Sequence, residues 1–295
     1  MKRFLLAALL LLCQSGAQAA LKVVTTTPAM AALTRAVGGE HVQVSTLVGN
    51  DRDAHMLQVK PSMMRAVRDA DLVVAVGADL EAGWLPEVLA SAGNPRIQTG
   101  RPGHFEAAMQ VERLPDPPSS GFSAHLHRYG NPHINLDPLR MAQAGEALAR
   151  TLAGLDTAHA DDFHRQAAAF RAAVEARLPV WRESLKGAQG AVLYHRDAVY
   201  LLDRFGLKLL GTLEPVPGVP PTANHLRELA AQLQGQKGVI VQAPWHAPDG
   251  PRQLSELTGL PIRILPLDPP ADADGQAYLR LIDAWVEALA AGGTP

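Results

Sequence analysis

Cysteine is almost missing from the chain: 295 residues contain one, Cys13. A lone cysteine excludes a disulfide framework and a thiolate metal site. Aromatic residues make up only 5% of the chain, which argues against a stacking platform for nucleobases or sugars. Neither charge dominates, with 27 Lys and Arg against 29 Asp and Glu, so no polyanion is implied as a partner. No H-E-x-x-H helix motif is present. The only long apolar run, Phe4 to Cys13, is too short to span a bilayer.

That run belongs to an export signal. Lys2-Arg3 is a positive n-region, Phe4 to Cys13 the apolar core, and Ala17-Gln18-Ala19 a small-residue cleavage site. Residues 1–19 therefore read as a signal peptide. Bulky Leu12 before Cys13 speaks against lipid attachment there, and the mature chain, starting at Ala20, would carry no cysteine. The expected compartment is the periplasm.

Along the mature chain, short β-branched runs alternate with helical patterns. Leu21 to Thr27, His41 to Val48 and Asp71 to Gly77 read as strands, and the segments between them as helices opened by Pro28 and by Lys60-Pro61-Ser62. The same alternation returns after residue 187. Gly190 to Tyr194, Leu207 to Thr212, Gly238 to Gln242 and Ile262 to Leu267 are its strands. Such order predicts an α/β fold of two parallel-sheet lobes. Apolar positions at helical spacing (Phe163, Ala167, Phe170, Val174, Leu178) predict a long helix over 158–186, interrupted at Pro179. The domains are thus 20–157, a linking helix 158–186, and 187–295. The proline-rich stretch at about 100–130, with His104, His125 and His127, reads as a mobile loop whose histidines are solvated. His41, His159, His164 and His225 read as surface residues.

The candidate site is carried by residues far apart in sequence. Gly130-Asn131-Pro132-His133 aims an imidazole from a conformationally restricted turn, and Asp137-Pro138 then starts a helix. His55 follows a polar turn, His195 follows a strand, and Asp268 ends one. Residues so placed meet only across a cleft beyond the carboxyl ends of strands. Three neutral imidazoles and one carboxylate suit a tetrahedral divalent ion, Zn2+ first, with Mn2+ or Fe2+ as alternatives. With four protein donors no position is left for a reacting water, so the site holds an ion and the chain is not an enzyme. Glu214, His246 or a water are the alternatives to Asp268 as fourth ligand. Trp245-His246 is placed at the cleft rim behind the ligands.

The chain resembles the metal-binding periplasmic proteins of bacterial zinc and manganese ABC importers, the cluster with a rigid helix between lobes. The likeness is carried by Asp53-Ala54-His55 ahead of Pro61-Ser62, by Asp69-Ala70-Asp71-Leu72-Val73, and by Asn131 to Pro138. It continues in His195 with Tyr200 and Gly206-Leu207, and in Glu214 to Thr222. The chain departs from the pattern at Ala54 (usually proline), at Met56 to Gln58 (usually aromatic and acidic), and at Asn135. There the usual tryptophan would close the wall behind His133. The resemblance implies a binding protein that delivers its ion to a membrane ABC permease as a monomer, with no nucleic acid involved. The strut should limit lobe closure, so that capture depends on local loop ordering. Two rival readings are a zinc hydrolase, with Glu214 as base, and a binder of an organic solute or metal chelate.

Overall fold

The computed structural model describes residues 19–115, 127–215 and 218–292, so the export signal lies outside the described residues except for Ala19, as does His125. Two four-stranded parallel sheets organise the chain. In the first, β1 (Leu21–Thr25) is flanked by β2 (Val42–Thr46) and β3 (Leu72–Ala75), and β4 (His104–Glu106) adds to β3. The second repeats this order: β5 (Gly190–Leu193) lies between β6 (Lys208–Thr212) and β7 (Val239–Gln242), with β8 (Ile262–Ile264) beyond β7. In both sheets the chain leaves the first strand to one side and returns to the other. The resulting crevices open beyond the carboxyl ends of β1 and β3, and of β5 and β7.

β4 corrects the reading of residues 100–130 as one loop. Phe105 is buried in the core and His104 is tied at both ring nitrogens, to the Ile97 carbonyl and to Glu106. The strand is only three residues long, too short for periodicity to show, and it is flanked by the turn residues Pro102 and Gly103. Gly103 is required there, because a Cβ would stand 2.7 Å from the carbonyl oxygens of Arg96 and Asp71.

The long helix, α5 (Ala160–Ser184, 25 residues), is continuous through Pro179, which sits on its exposed side. It spans about 38 Å at 1.5 Å per residue. It follows α4 (Pro138–Leu155) and packs along it, and it also meets α1 (Pro28–Gly38) and the last helix, α9 (Gly275–Ala290). Its buried stripe is the expected one: Phe163, Ala167, Phe170, Val174 and Leu178, with Trp181.

The apolar interior does not stop between the lobes. One cluster runs from Val23, Leu72 and Val74 through α1, α4, α5 and α9 to Leu193 and Val241, and smaller clusters fill the outer face of each sheet. At the joint α1 and α9 lie so close that a Cβ on Gly275 would be 2.8 Å from that of Ala36. Arg35 on α1 donates to the carbonyls of Ala271 and Ala273, each at 2.9 Å. The halves therefore share a core, and opening them would expose apolar surface at about 25 cal/mol per Å2.

Candidate metal centre

Four histidine rings converge in the crevice: His55, His127, His133 and His195. Their six centroid separations lie between 4.9 and 6.0 Å, and one nitrogen from each lies within 4.8 Å of all the others. Around a tetrahedral Zn2+ with Zn–N near 2.05 Å, nitrogens stand about 3.3 Å apart. Small rotamer changes would reach that figure, and His55 and His127 already bring their Nε2 atoms to 3.0 Å.

Each ring is aimed by its local sequence. His55 lies between β2 and α2 (Pro61–Arg68). Asp53 accepts hydrogen bonds from the backbone N–H of His55 at 2.8 Å and from its Nδ1 at 2.7 Å. The proton thus sits on Nδ1 and the Nε2 lone pair faces the cluster, the usual carboxylate–histidine arrangement behind a metal. Burial alone would raise the Asp53 carboxyl. The hydrogen bonds and charge from His55, with the charge of His195, outweigh it and bring it down to about 2. Buried Trp84 donates from Nε1 to the Ala54 carbonyl at 2.8 Å and fixes the same turn.

His133 follows the Asn-Pro turn, where the Asn131 Oδ1 accepts from the His133 backbone N–H at 2.9 Å. Asn131 Nδ2 also donates to the Arg196 carbonyl at 2.9 Å, next to His195. Tyr200 accepts from the Leu114 N–H and donates to the Asn131 carbonyl. Asp137 caps α4, accepting from the N–H groups of Leu139 and Arg140, and binds Arg140 and Arg204. His133 is only 8% exposed, and its Nε2 is buried without a hydrogen-bond partner. Burial, and then the charges of His55, His195 and His127, push its pKa well below 6.5. It is held neutral, as a metal donor must be. His195 stands directly beyond the carboxyl end of β5.

The fourth member of the cluster is His127, not the expected Asp268. Asp268 lines the same cavity, of about 350 Å3, but its Oδ1 accepts from the Ala29 N–H at the start of α1, at 2.8 Å. Burial pushes its carboxyl up to about 6. Glu214 stays 3.9 Å from His195 Nδ1 and accepts from the Gly218 N–H, and burial raises its pKa too. His246 uses Nδ1 to accept from the Ala243 N–H, stacks on Tyr194 at 3.8 Å, and is pushed by burial down to about 4. Asn135 lines the cavity, and its Nδ2 donates to the Leu267 carbonyl at 2.7 Å, across the crevice.

His127 is 4% exposed, where its proline-rich, polar surroundings predict a solvated side chain. A signal was available. His127 precedes His133 by one tight turn, closed by the Gly130 N–H on the His127 carbonyl at 3.0 Å, with Gly130 at φ +95°. A Gly-Asn-Pro turn folds two histidines that flank it onto one centre.

The described helices include none long and apolar enough to cross a membrane. Residues 23–292 match the family model for ZnuA, described as the zinc-uptake complex component A, periplasmic. The chain belongs to the ZnuA family. A zinc-binding lipoprotein AdcA of Streptococcus pneumoniae is 24% identical over 284 residues, which is 94% of this chain but 56% of that protein. The chain thus spans about half the length of the AdcA relatives it matches. The high-affinity zinc uptake system protein ZnuA of Yersinia pestis is 25% identical over 259 residues, covering 82% of this chain and 81% of its own. Among solved structures, a zinc-bound ZnuA deletion mutant superposes with a TM-score of 0.78 at 20% identity, over 94% of this chain and 99% of that one. That likeness extends the ZnuA fold to both lobes and the long helix.

Proposed function

We propose that this protein captures a divalent ion, Zn2+ before Mn2+ or Fe2+, in the periplasm, and delivers it to an ABC-type permease in the membrane. The observation that carries this reading is the convergence of four imidazoles on one point, one of them buried, neutral and without a hydrogen-bond partner at its free nitrogen. Neutral nitrogen donors favour Zn2+ over Mn2+, which prefers carboxylates. The ligands in this reading are His55, His127, His133 and His195. One oxygen of Asp268 accepts from the N-terminus of α1, and the residue lines the cavity wall.

Four protein donors close the coordination sphere, which suits holding and transfer and opposes hydrolysis. Asp53 fixes the tautomer of His55 and supplies a negative charge behind it that offsets part of the ion's charge. The ABC-importer role is supported by the family match, and export by the Lys2-Arg3 and Ala17-Gln18-Ala19 pattern.

Calorimetric titration of chelator-treated protein tests the proposal. Zn2+ is expected to bind at one site with Kd about nanomolar or tighter, that is about −12 kcal/mol or more, and Mn2+ far more weakly. Absence of Zn2+ binding, or hydrolysis of ester or phosphoester substrates by the loaded protein, would overturn it.

A further inference from the structure

Resting on the reading of His127 as a metal ligand, we infer that Asp79 is a positioning residue for the ion, acting through Arg128. Arg128 follows His127 directly, and Asp79 grips it at three points. The Arg128 backbone N–H and Nε donate to Asp79 Oδ2 at 3.2 and 3.1 Å, and Nη2 donates to Oδ1 at 3.4 Å. The first of these bonds fixes the peptide joining His127 to Arg128, and with it the direction of the imidazole. His127 needs such help, because it sits at φ +57°, a conformation L residues rarely adopt.

The two partners are not equivalent. The Asp79 side chain is 11% exposed and that of Arg128 60%. The acid is the fixed member and the arginine the one it holds. Asp79 is fixed because its own turn is over-determined. Gly77, Ala78 and Asp79 are successive left-handed residues, at φ +80°, +51° and +71°. Beneath them the buried Glu81 carboxylate accepts from the N–H groups of Val76 and Gly77, at 2.8 and 3.0 Å, and from Thr26 Oγ1 at 2.6 Å. A strained turn persists only where its surroundings enforce it, and such turns gather at functional sites. Here the strain is placed at the end of β3, in the crevice of the first sheet, where it presents one carboxylate to the residue beside a ligand. Asp79 touches no ion. It sets how long His127 stays on one.

Asp79→Asn is the discriminating variant, because asparagine tolerates φ above zero as aspartate does and only the charge is lost. Zinc release into excess chelator is expected to speed up about five- to tenfold, the range for an ion pair of this exposure with a charge-assisted backbone bond. The visible spectrum of the Co2+-loaded variant should lose intensity as the four-coordinate site loosens, and thermal unfolding of the chelator-treated variant should fall by no more than about 4 °C. Arg128→Ala keeps the backbone bond to Asp79 and loses only the two side-chain bonds, so it should speed release less than Asp79→Asn does, and the double variant should be no faster than Asp79→Asn. A parental release rate and Co2+ spectrum in Asp79→Asn, with release clearly faster in His127→Ala, would overturn the positioning role alone. Parental zinc affinity in His127→Ala would overturn the four-imidazole reading beneath it.

Discussion

Replacing His133 by leucine separates what the site costs from what it does. In the zinc-free protein the His133 Nε2 is buried with no hydrogen-bond partner, and a polar atom in that state costs about 1–3 kcal/mol. Leucine is apolar and of similar reach, so it removes this cost, while an imperfect fit takes back about 1 kcal/mol. At pH 7.5 the zinc-free variant should therefore be as stable as the parent, or more stable by up to about 2 kcal/mol. Acid should widen the gap. The folded-state pKa of His133 lies well below 6.5, so below that pH the unfolded chain takes up a proton that the folded chain refuses. The parent then loses stability from this group as pH falls, by at most about 1.4 kcal/mol per pH unit while the folded ring stays neutral. Asp197 and Asp268 work in the opposite direction. Burial pushes them up to about 7 and about 6, so they protonate in the folded state first and gain stability as pH falls through those values. The parent's own pH profile mixes these contributions, and the difference between parent and variant isolates His133. Urea unfolding of both proteins in chelator at pH 7.5 and 5.0 measures it. A difference that stays constant within about 0.5 kcal/mol would mean that folded His133 accepts a proton, which would refute the claim that burial keeps it neutral.

Two further outcomes follow from the packing. Asp268→Asn keeps an oxygen for the Ala29 N–H and removes a charge that burial disfavours. It should change zinc affinity by less than about threefold, since the bond Asp268 makes is to the Ala29 N–H and not to any of the four rings it would otherwise orient. It should also stabilise the zinc-free protein at pH 7.5 by up to about 3 kcal/mol. A loss of more than about a hundredfold in calorimetric affinity would return Asp268 to the ligand set. Gly275→Ala puts a methyl group 2.8 Å from the Ala36 Cβ and 3.2 Å from Phe170 Cδ2. It should cost about 1–3 kcal/mol in urea unfolding by forcing α1, α5 and α9 apart. Parental stability would show that the joint is looser than the contacts imply.

Most of the fold was legible because it depends on local patterns. The strands at 21–25, 42–46, 72–75 and 190–193 are short apolar or alternating runs between turn residues, and the buried stripe of α5 repeats at helical spacing. Asp137-Pro138 announced its helix because capping is a matter of adjacent residues. β4 escaped notice because three residues carry no period, and it forms only when β3 offers an edge to pair with. The site was legible where a histidine follows a strand or a stiff turn, as at 55, 133 and 195. At the fourth corner the structure brings His127 into the cluster where the sequence suggests Asp268, for a reason of the same kind. Asp268 has the right place in the chain, but the N-terminus of α1 claims its oxygen, and that approach is set by the packing of α1 against the second lobe. His127 looked solvated because its neighbours are proline-rich and polar, and composition cannot show that a clamp from Asp79 turns the ring inward.

The shared core and the origin of the ligands together limit how an ion can leave. In periplasmic proteins that close by hinge bending, two lobes with separate cores rotate about a few residues. Here one apolar cluster spans both lobes through α1, α4, α5 and α9, so a wide rotation would break interior packing. The donors do not share that rigidity equally. His195 sits at the end of β5, and His133 is locked by Asn131, Tyr200 and the capped start of α4. His55 is held by its own turn, through Asp53 and Trp84. His127 is held by a four-residue turn and by a clamp whose arginine is largely exposed. Local opening draws on the least stable segments first, so His127 is the donor that should leave before the others, turning a closed four-coordinate site into a three-coordinate one with a position free for an incoming ligand from a partner. In the proposed four-imidazole site the frame would keep three donors in register while the fourth exchanges, and release would need one turn to move and no rotation of the lobes.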